Sequence, residues 1–310
     1  MTTAPDGAAL HDRVTHALAA PVRDEIRDFA RALGEAHDAR AVIFYGSNLR
    51  SGSLDGVLDF YVLTGGPREK GLWPRVAYHE RPHNGTILRA KVAVMRLSTF
   101  RHAAEGRHTD TTIWARFVQP CALAWTGDPQ AASEVTAAIE AASMTAARFA
   151  AALGEPQGTE REFWQALFRA TYRAELRVEK SGREQQILDF GADHFGGLLT
   201  AAWQAAGIAF DADGDVLRPH LLPQERKALL DRWERRRRMG KPLNVVRLLR
   251  AGTTFEGGAR YLAWKIERHS GVVVPLTPFR ERHPILMSPV LVAGYWQARR
   301  RKRAALSSDD

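Results

Sequence analysis

Val42-Ile43-Phe44-Tyr45-Gly46-Ser47, followed after a polar turn by Val57-Leu58-Asp59-Phe60-Tyr61-Val62-Leu63, decides the reading of this chain. Ala41–Tyr45 and Val57–Leu63 are apolar, β-branched and aromatic runs of strand length, and Asn48–Gly56 between them carries Gly52 and two serines, the composition of a turn. The first strand ends in Gly-Ser, and about a dozen residues later a carboxylate, Asp59, stands inside the second. Glycine lets backbone approach a phosphate closely. The Ser47 hydroxyl and nearby N–H groups are then candidates to hold a polyphosphate, and Asp59 to hold the Mg²⁺ that accompanies it.

Outward from this pair, residues 8–36 read as helix, with Leu10, Val14, Leu18, Val22, Ile26, Phe29 and Leu33 three or four apart and Pro21 allowing a division into two. Gly65-Gly66-Pro67 closes the second strand, and the segment to Gly85 reads as irregular, holding Trp73, Tyr78, His79 and His83. Ile87–Leu97 alternates as a third strand, a short helix is expected at 98–106, and an Ala-rich helix at 131–153 ends a first domain, residues 1–153. After the Gly- and Pro-containing linker Leu153–Thr159, residues 160–310 form a second, mostly helical domain. Within it, 160–206 is helical in pattern, Asp211–Asp215 is a polar loop, and a basic helix from Pro223 to Arg238 is expected to stop at Gly240-Lys241-Pro242. Further helices are expected at Asn244–Arg250, Gly257–His269 and Ile285–Arg303. The fold class is therefore α+β: a mixed sheet flanked by helices, then a helical part.

The 310 residues are 45% apolar and 25% charged, an ordinary balance for a folded domain or two. A single cysteine, Cys121, excludes an internal disulfide, and no apolar run reaches the length of a membrane span. The start of the chain lacks the pattern of a secretory signal, so a bacterial cytoplasmic location is the simplest expectation. The net charge of +9 suits a polyanionic partner: a nucleotide, an anionic lipid or a nucleic acid. Arg235–Arg238 and Arg299–Arg303 concentrate it, the latter following the apolar run Ile285–Trp296, an arrangement suited to a membrane interface. No interleaving of basic and aromatic residues points to an RNA-binding module, which counts against nucleic acid.

Strand, Gly-Ser and strand-borne Asp together resemble the nucleotidyltransferase superfamily. Its common pattern has two acids, Asp-x-Asp, where this chain has Asp59 and Tyr61, with Asp55 a candidate substitute from the turn. One branch with a single acid is closer: the chain resembles the mitochondrial-type CDP-diacylglycerol synthases, the phosphatidate cytidylyltransferases. The residues that carry the resemblance are Tyr45-Gly46-Ser47, then Val57-Leu58-Asp59-Phe60 with Pro67 after the strand. Trp73 and His79 fall near a family Trp and a His-Tyr-Ser element, and Lys91 begins a strand as a family Lys does. Trp114–Pro120 is similar to the family's Ala-Gly-Arg-Leu-x-Lys-Pro element and carries over Arg116 as a phosphate-binding residue. The match covers about residues 40–125.

The resemblance implies a nucleotidyltransferase-like sheet and Mg²⁺-dependent transfer of a cytidylyl group from CTP to a lipid phosphate such as phosphatidate. It places Asp59 and Lys91 in catalysis, with Asp59 as metal ligand, Tyr45, Gly46, Ser47 and Arg116 on the nucleotide, and Asp55 and His79 as further candidates. It implies peripheral contact with the inner membrane face through the basic C-terminal helix. Two other readings fit the same residues: transfer to a small molecule, a protein or an RNA end, and an inactive nucleotidyltransferase fold that binds nucleic acid.

Overall fold

A computed structural model describes residues 7–71, 73–174, 183–254 and 256–270. It is an α+β architecture: a five-stranded mixed sheet with helices on both faces and a helical C-terminal part. Helices α1 (Ala8–Leu18) and α2 (Asp24–Ala36) precede strand β1 (Ala39–Tyr45). A five-residue helix, α3 (Ser47–Ser51), opens the turn to β2 (Leu58–Thr64). Then come β3 (Arg75–His83), β4 (Thr86–Arg96), α4 (Leu97–Ala104), α5 (Thr112–Phe117), β5 (Cys121–Thr126) and the long α6 (Pro129–Leu153).

The sheet order is β3-β4-β2-β1-β5, with β2 and β4 parallel and the other pairs antiparallel. On one face Val42, Phe44, Leu58, Phe60, Val62 and Val92 pack against Ile26, Phe29 and Leu33 of α2. On the other, Ile43, Tyr61, Leu63, Ala93 and Met95 meet the layer built on α6. The apolar faces explain why α2 and α6 bracket the sheet. A fully buried side chain such as Phe60, 0% exposed, contributes roughly 1.5–3 kcal/mol by leaving water. Asp128 caps α6 through Oδ1, which accepts from the Ala131 N–H at 2.7 Å, and Pro129 stands at the first helical turn.

The helical part comprises α7 (Glu160–Ala174), α8 (Arg183–Phe190), α9 (Ala192–Phe195), α10 (Leu198–Ala205), a hairpin of β6 (Phe210–Asp213) and β7 (Val216–Pro219), α11 (Pro223–Thr254) and α12 (Gly258–Ser270). Its core is continuous with that of the sheet: Phe163, Trp164 and Trp203 join the cluster around α6, and the Trp203 indole donates to the Ala147 carbonyl at 2.9 Å.

Three local expectations are corrected and one is met. Residues 68–85 are not wholly irregular: Arg75–His83 is the edge strand β3, paired residue by residue with β4. The division that Pro21 allowed in the 8–36 helix is made: α1 ends at Leu18 and α2 begins at Asp24. Asp211–Asp215 belongs largely to the β6–β7 hairpin. Gly240-Lys241-Pro242 does not stop the basic helix, for α11 runs through it with Pro242 inside. At Gly240 a Cβ would stand 2.3 Å from the Ala174 carbonyl oxygen, so glycine there serves close packing on α7. The expected helix at residues 285–303 lies outside the described residues. No helix among the described residues is long and apolar enough to cross a membrane.

Candidate active site

Residues opposite each other in a sheet share a face. Tyr45 ends β1 opposite Asp59 on one side and Cys121 on the other. Asp59 stands opposite Lys91, and Lys91 opposite Tyr78. Cys121, Tyr45, Asp59, Lys91 and Tyr78 therefore form one row across all five strands, on the face of Ile43, Tyr61 and Ala93. In that row the apolar face gives way to two opposite charges.

Protein crowds the two charges without shutting either from solvent. Burial holds the Asp59 carboxyl above its ordinary pKa, against the pull of Lys91 and Arg116. Burial holds the Lys91 ammonium below its ordinary value; Asp59 opposes this, while Arg116 and Lys265 add to it. The Lys91 side chain is nonetheless accessible to solvent. A charge hemmed in by protein but reachable by water stands on the wall of a cleft. Cys121, buried at the end of the row, has its thiol pushed up to about 12 and stays protonated.

Gly46 has φ 94° and ψ −161°, a backbone that side chains disfavour, and a Cβ there would meet Asp59 Oδ2 at 3.0 Å. Glycine thus lets the turn close directly onto the carboxylate. Ser47 follows with an exposed hydroxyl that donates to Asn48 Oδ1 at 3.3 Å. Asn48 is buried, and its Nδ2 donates to the carbonyls of Ser53 at 2.9 Å and Asp55 at 2.7 Å. It fastens the turn that carries β2 back beside β1, and so sets where Asp59 lies relative to Gly46. Sequence reasoning passed over Asn48, although an Asn opening a Ser- and Gly-rich turn signals this bracing.

Arg116 reaches the row from α5. Its Nη1 donates to the Tyr61 hydroxyl at 2.9 Å, and its guanidinium lies 5.4 Å from the Tyr45 ring centre and 5.8 Å from that of Tyr61. Tyr61, where the common superfamily pattern has its second acid, is buried and orients a cation instead.

A second set of cations arrives from the far end of the chain. The Tyr78 N–H donates to the Glu256 carbonyl at 2.8 Å, and Gly257, at φ 71°, passes so close that a Cβ would meet the Tyr78 carbonyl oxygen at 2.5 Å. This docks α12 on β3, with the Tyr261 ring 5.4 Å from Tyr78. Tyr261, Lys265 and Arg268 fall on one helical stripe. Lys265 acts on Lys91, and Arg268 Nη1 comes within 3.2 Å of where a Gly56 Cβ would stand, at the entry to β2. Lys91 and Arg116 thus act on the Asp59 carboxylate, while Lys265 acts on Lys91 and Arg268 stands at the entry to β2. The last two were missed from sequence, where the stripe was readable but its address on the sheet was not.

Two expected residues are not brought into the row. The Asp55 side chain is exposed in the turn, and the residue's contribution is the carbonyl that Asn48 binds. His79 neighbours Tyr78 on β3 and so faces the opposite side of the sheet, where its ring lies 6.3 Å from His37 in an edge-on contact. Burial holds its pKa down.

A cavity of about 590 Å³ opens at the β5 end of the row. Leu49, Phe117, Pro120, Cys121, Phe190 and Leu198 give it a largely apolar lining, and Arg13 and Arg50 are among its polar residues. Phe117 is shared with the site, its ring 5.6 Å from Tyr45.

Among the described residues no three acidic, histidine or cysteine side chains gather as a metal cage. Asp59, a half-buried carboxylate with Gly46 backbone against it, fits a Mg²⁺ that takes its remaining ligands from phosphates and water. No protein-family model matches this chain, and no curated protein matches it.

Proposed function

We propose that the protein is a nucleotidyltransferase that moves a cytidylyl group from CTP to a lipid phosphate of the phosphatidate type. The observation that carries this reading is the in-register pair Asp59–Lys91 closed from below by Gly46, with Arg116 acting on both and Lys265 on Lys91. A lone carboxylate beside two cations suits a polyphosphate that brings its own charge and metal. The apolar cavity beside Tyr45 supports an acceptor with a hydrocarbon portion. The choice of CTP rests on the resemblance to the phosphatidate cytidylyltransferases.

In this reading an acceptor phosphate oxygen attacks the α-phosphorus, a new phosphorus–oxygen bond forms, and the α–β bridging bond breaks to release pyrophosphate. The acceptor is already an anion near neutral pH, so no general base is required. Asp59 would hold a Mg²⁺, which when bound neutralises charge around the α-phosphate. Gly46 and Ser47 carry the backbone and hydroxyl that face the phosphates. Lys91 and Arg116 stabilise the charge that shifts to the leaving pyrophosphate, and Lys265 and Arg268 strengthen the field of the cleft. The protein would work as a peripheral enzyme at the cytoplasmic membrane face.

Pyrophosphate release from each of the four nucleoside triphosphates, with Mg²⁺ and with or without phosphatidate vesicles, tests the reading. Release that requires both CTP and phosphatidate is expected. Release independent of lipid would move the acceptor to a soluble molecule, and no release with any nucleotide would overturn the assignment.

A further inference from the structure

The Arg235–Arg238 run divides when its partners are traced. Arg237 and Arg238 both pair with Glu234, at 2.7 and 3.0 Å, on the outer side of α11. Arg236 turns inward and is 5% exposed. It donates to the carbonyls of Gly106, of His108 at 3.0 Å and of Arg232 at 3.2 Å, and its guanidinium lies 4.9 Å from the Phe149 ring centre. Its Nε has no partner. Burial, with Arg232 and Arg235 adding to it, pushes its pKa down to about 10.

These contacts hold the guanidinium in place through dipoles and a ring face; Asp110 favours its charge, but burial and the neighbouring Arg232 and Arg235 outweigh that pull. A buried ion so incompletely compensated is costly. Around it opens a pocket of about 670 Å³, whose cationic walls are Arg107, Arg148, Arg232, Arg235 and Arg236. The carboxylate in this wall, Glu105, is taken by Arg101 at 3.2 Å and Arg107 at 3.0 Å. Arg232 and Arg235 are exposed, three residues apart on the same face of α11. They converge with Arg148 from α6 and with the 105–109 turn, and the pocket shares no residue with the Asp59 cleft.

We propose that this pocket is a second anion site, which binds a ligand carrying two or more phosphate groups or a phosphate monoester. Guanidinium forks match phosphate oxygens in pairs, and convergence of several on one pocket favours a multiply charged phosphate over a carboxylate. Such a ligand adds counter-charge at Arg236, where burial and neighbouring cations outweigh Asp110. The same chemistry is offered by a soluble phosphorylated molecule and by the headgroup of an anionic lipid.

The test is calorimetric titration of the full chain with sodium tripolyphosphate, using Arg232→Gln/Arg235→Gln, Arg148→Gln and Lys91→Met. Wild type is expected to show two binding events. The double variant should lose one by about tenfold or more in affinity while keeping its melting temperature, and Lys91→Met should lose the other. Arg148→Gln, on a different helix, should weaken the same event as the double variant. Isotherms of the double variant and of Arg148→Gln that superimpose on wild type would overturn the proposal. Flotation with phosphatidate/phosphatidylcholine vesicles assigns the source. Loss of flotation in the double variant identifies a lipid headgroup; unchanged flotation with lost tripolyphosphate binding identifies a soluble ligand.

Discussion

The two faces of the central sheet are built from alternate residues of the same strands, yet they end differently. Toward α2, Phe44, Phe60 and Val92 continue the apolar surface of Val42, Val62 and Leu88. Toward α6, Ile43, Leu63 and Met95 give way to Tyr45, Asp59 and Lys91. A step of one residue along β2, from Phe60 to Asp59, exchanges a fully buried ring for a carboxylate that burial disfavours. One face serves stability alone. The other carries the burial of Asp59 and Lys91, whose mutual attraction only partly offsets it, a cost of the kind found at functional sites.

Four changes would break or sharpen this contrast. The largest effect is expected for Phe60→Ala on the α2 face, which removes a ring packed 5.2 Å from Phe44 and 5.7 Å from Phe29. It should cost about 3–5 kcal/mol in urea unfolding, with turnover per folded molecule little changed. Gly46→Ala is next: strain at positive φ and collision with Asp59 Oδ2 should cost about 1–3 kcal/mol and abolish pyrophosphate release. Tyr61→Phe removes the hydroxyl that accepts from Arg116; a loss of about 1 kcal/mol and a several-fold rise in the KM for nucleotide are expected, with kcat less affected.

The smallest expected effect concerns pH. Burial raises the Asp59 pKa, so the acid limb of turnover should lie above the ordinary aspartate range. Lys91 pulls that pKa down, so Lys91→Met should move the limb further up in any residual kcat/KM profile. For stability the sign follows from the same shift. The folded carboxyl takes up a proton more readily than the unfolded one, so it favours the fold below the unfolded pKa. That contribution is lost as pH rises through the raised folded value.

Much of the site was legible because its core is local in sequence. Strands β1 and β2 carry periodic apolar runs, and Gly46, Ser47 and Asp59 lie on either side of one short turn. Strand β3 was not legible, because Arg75–His83 is mostly polar and even holds Pro82, which an edge strand tolerates. Its free edge is covered by Glu256 and Gly257, a contact that nothing near residue 78 announces. The same long-range docking brings Lys265 and Arg268 to the cleft. His79 was misplaced by parity: once Lys91 and Tyr78 face the site, the next residue on β3 faces away. The passage of α11 through Gly240 and Pro242 shows tertiary packing overriding a local stop signal.

The central claim is that Asp59 is a charge kept in the sheet for chemistry and against stability. Pyrophosphate release from CTP with phosphatidate vesicles and the melting temperature, both measured on wild type and Asp59→Asn, test it most directly. The account predicts that the variant loses at least about a hundredfold in turnover while melting a few degrees higher. Undiminished turnover, or a variant that melts lower than wild type, would contradict it.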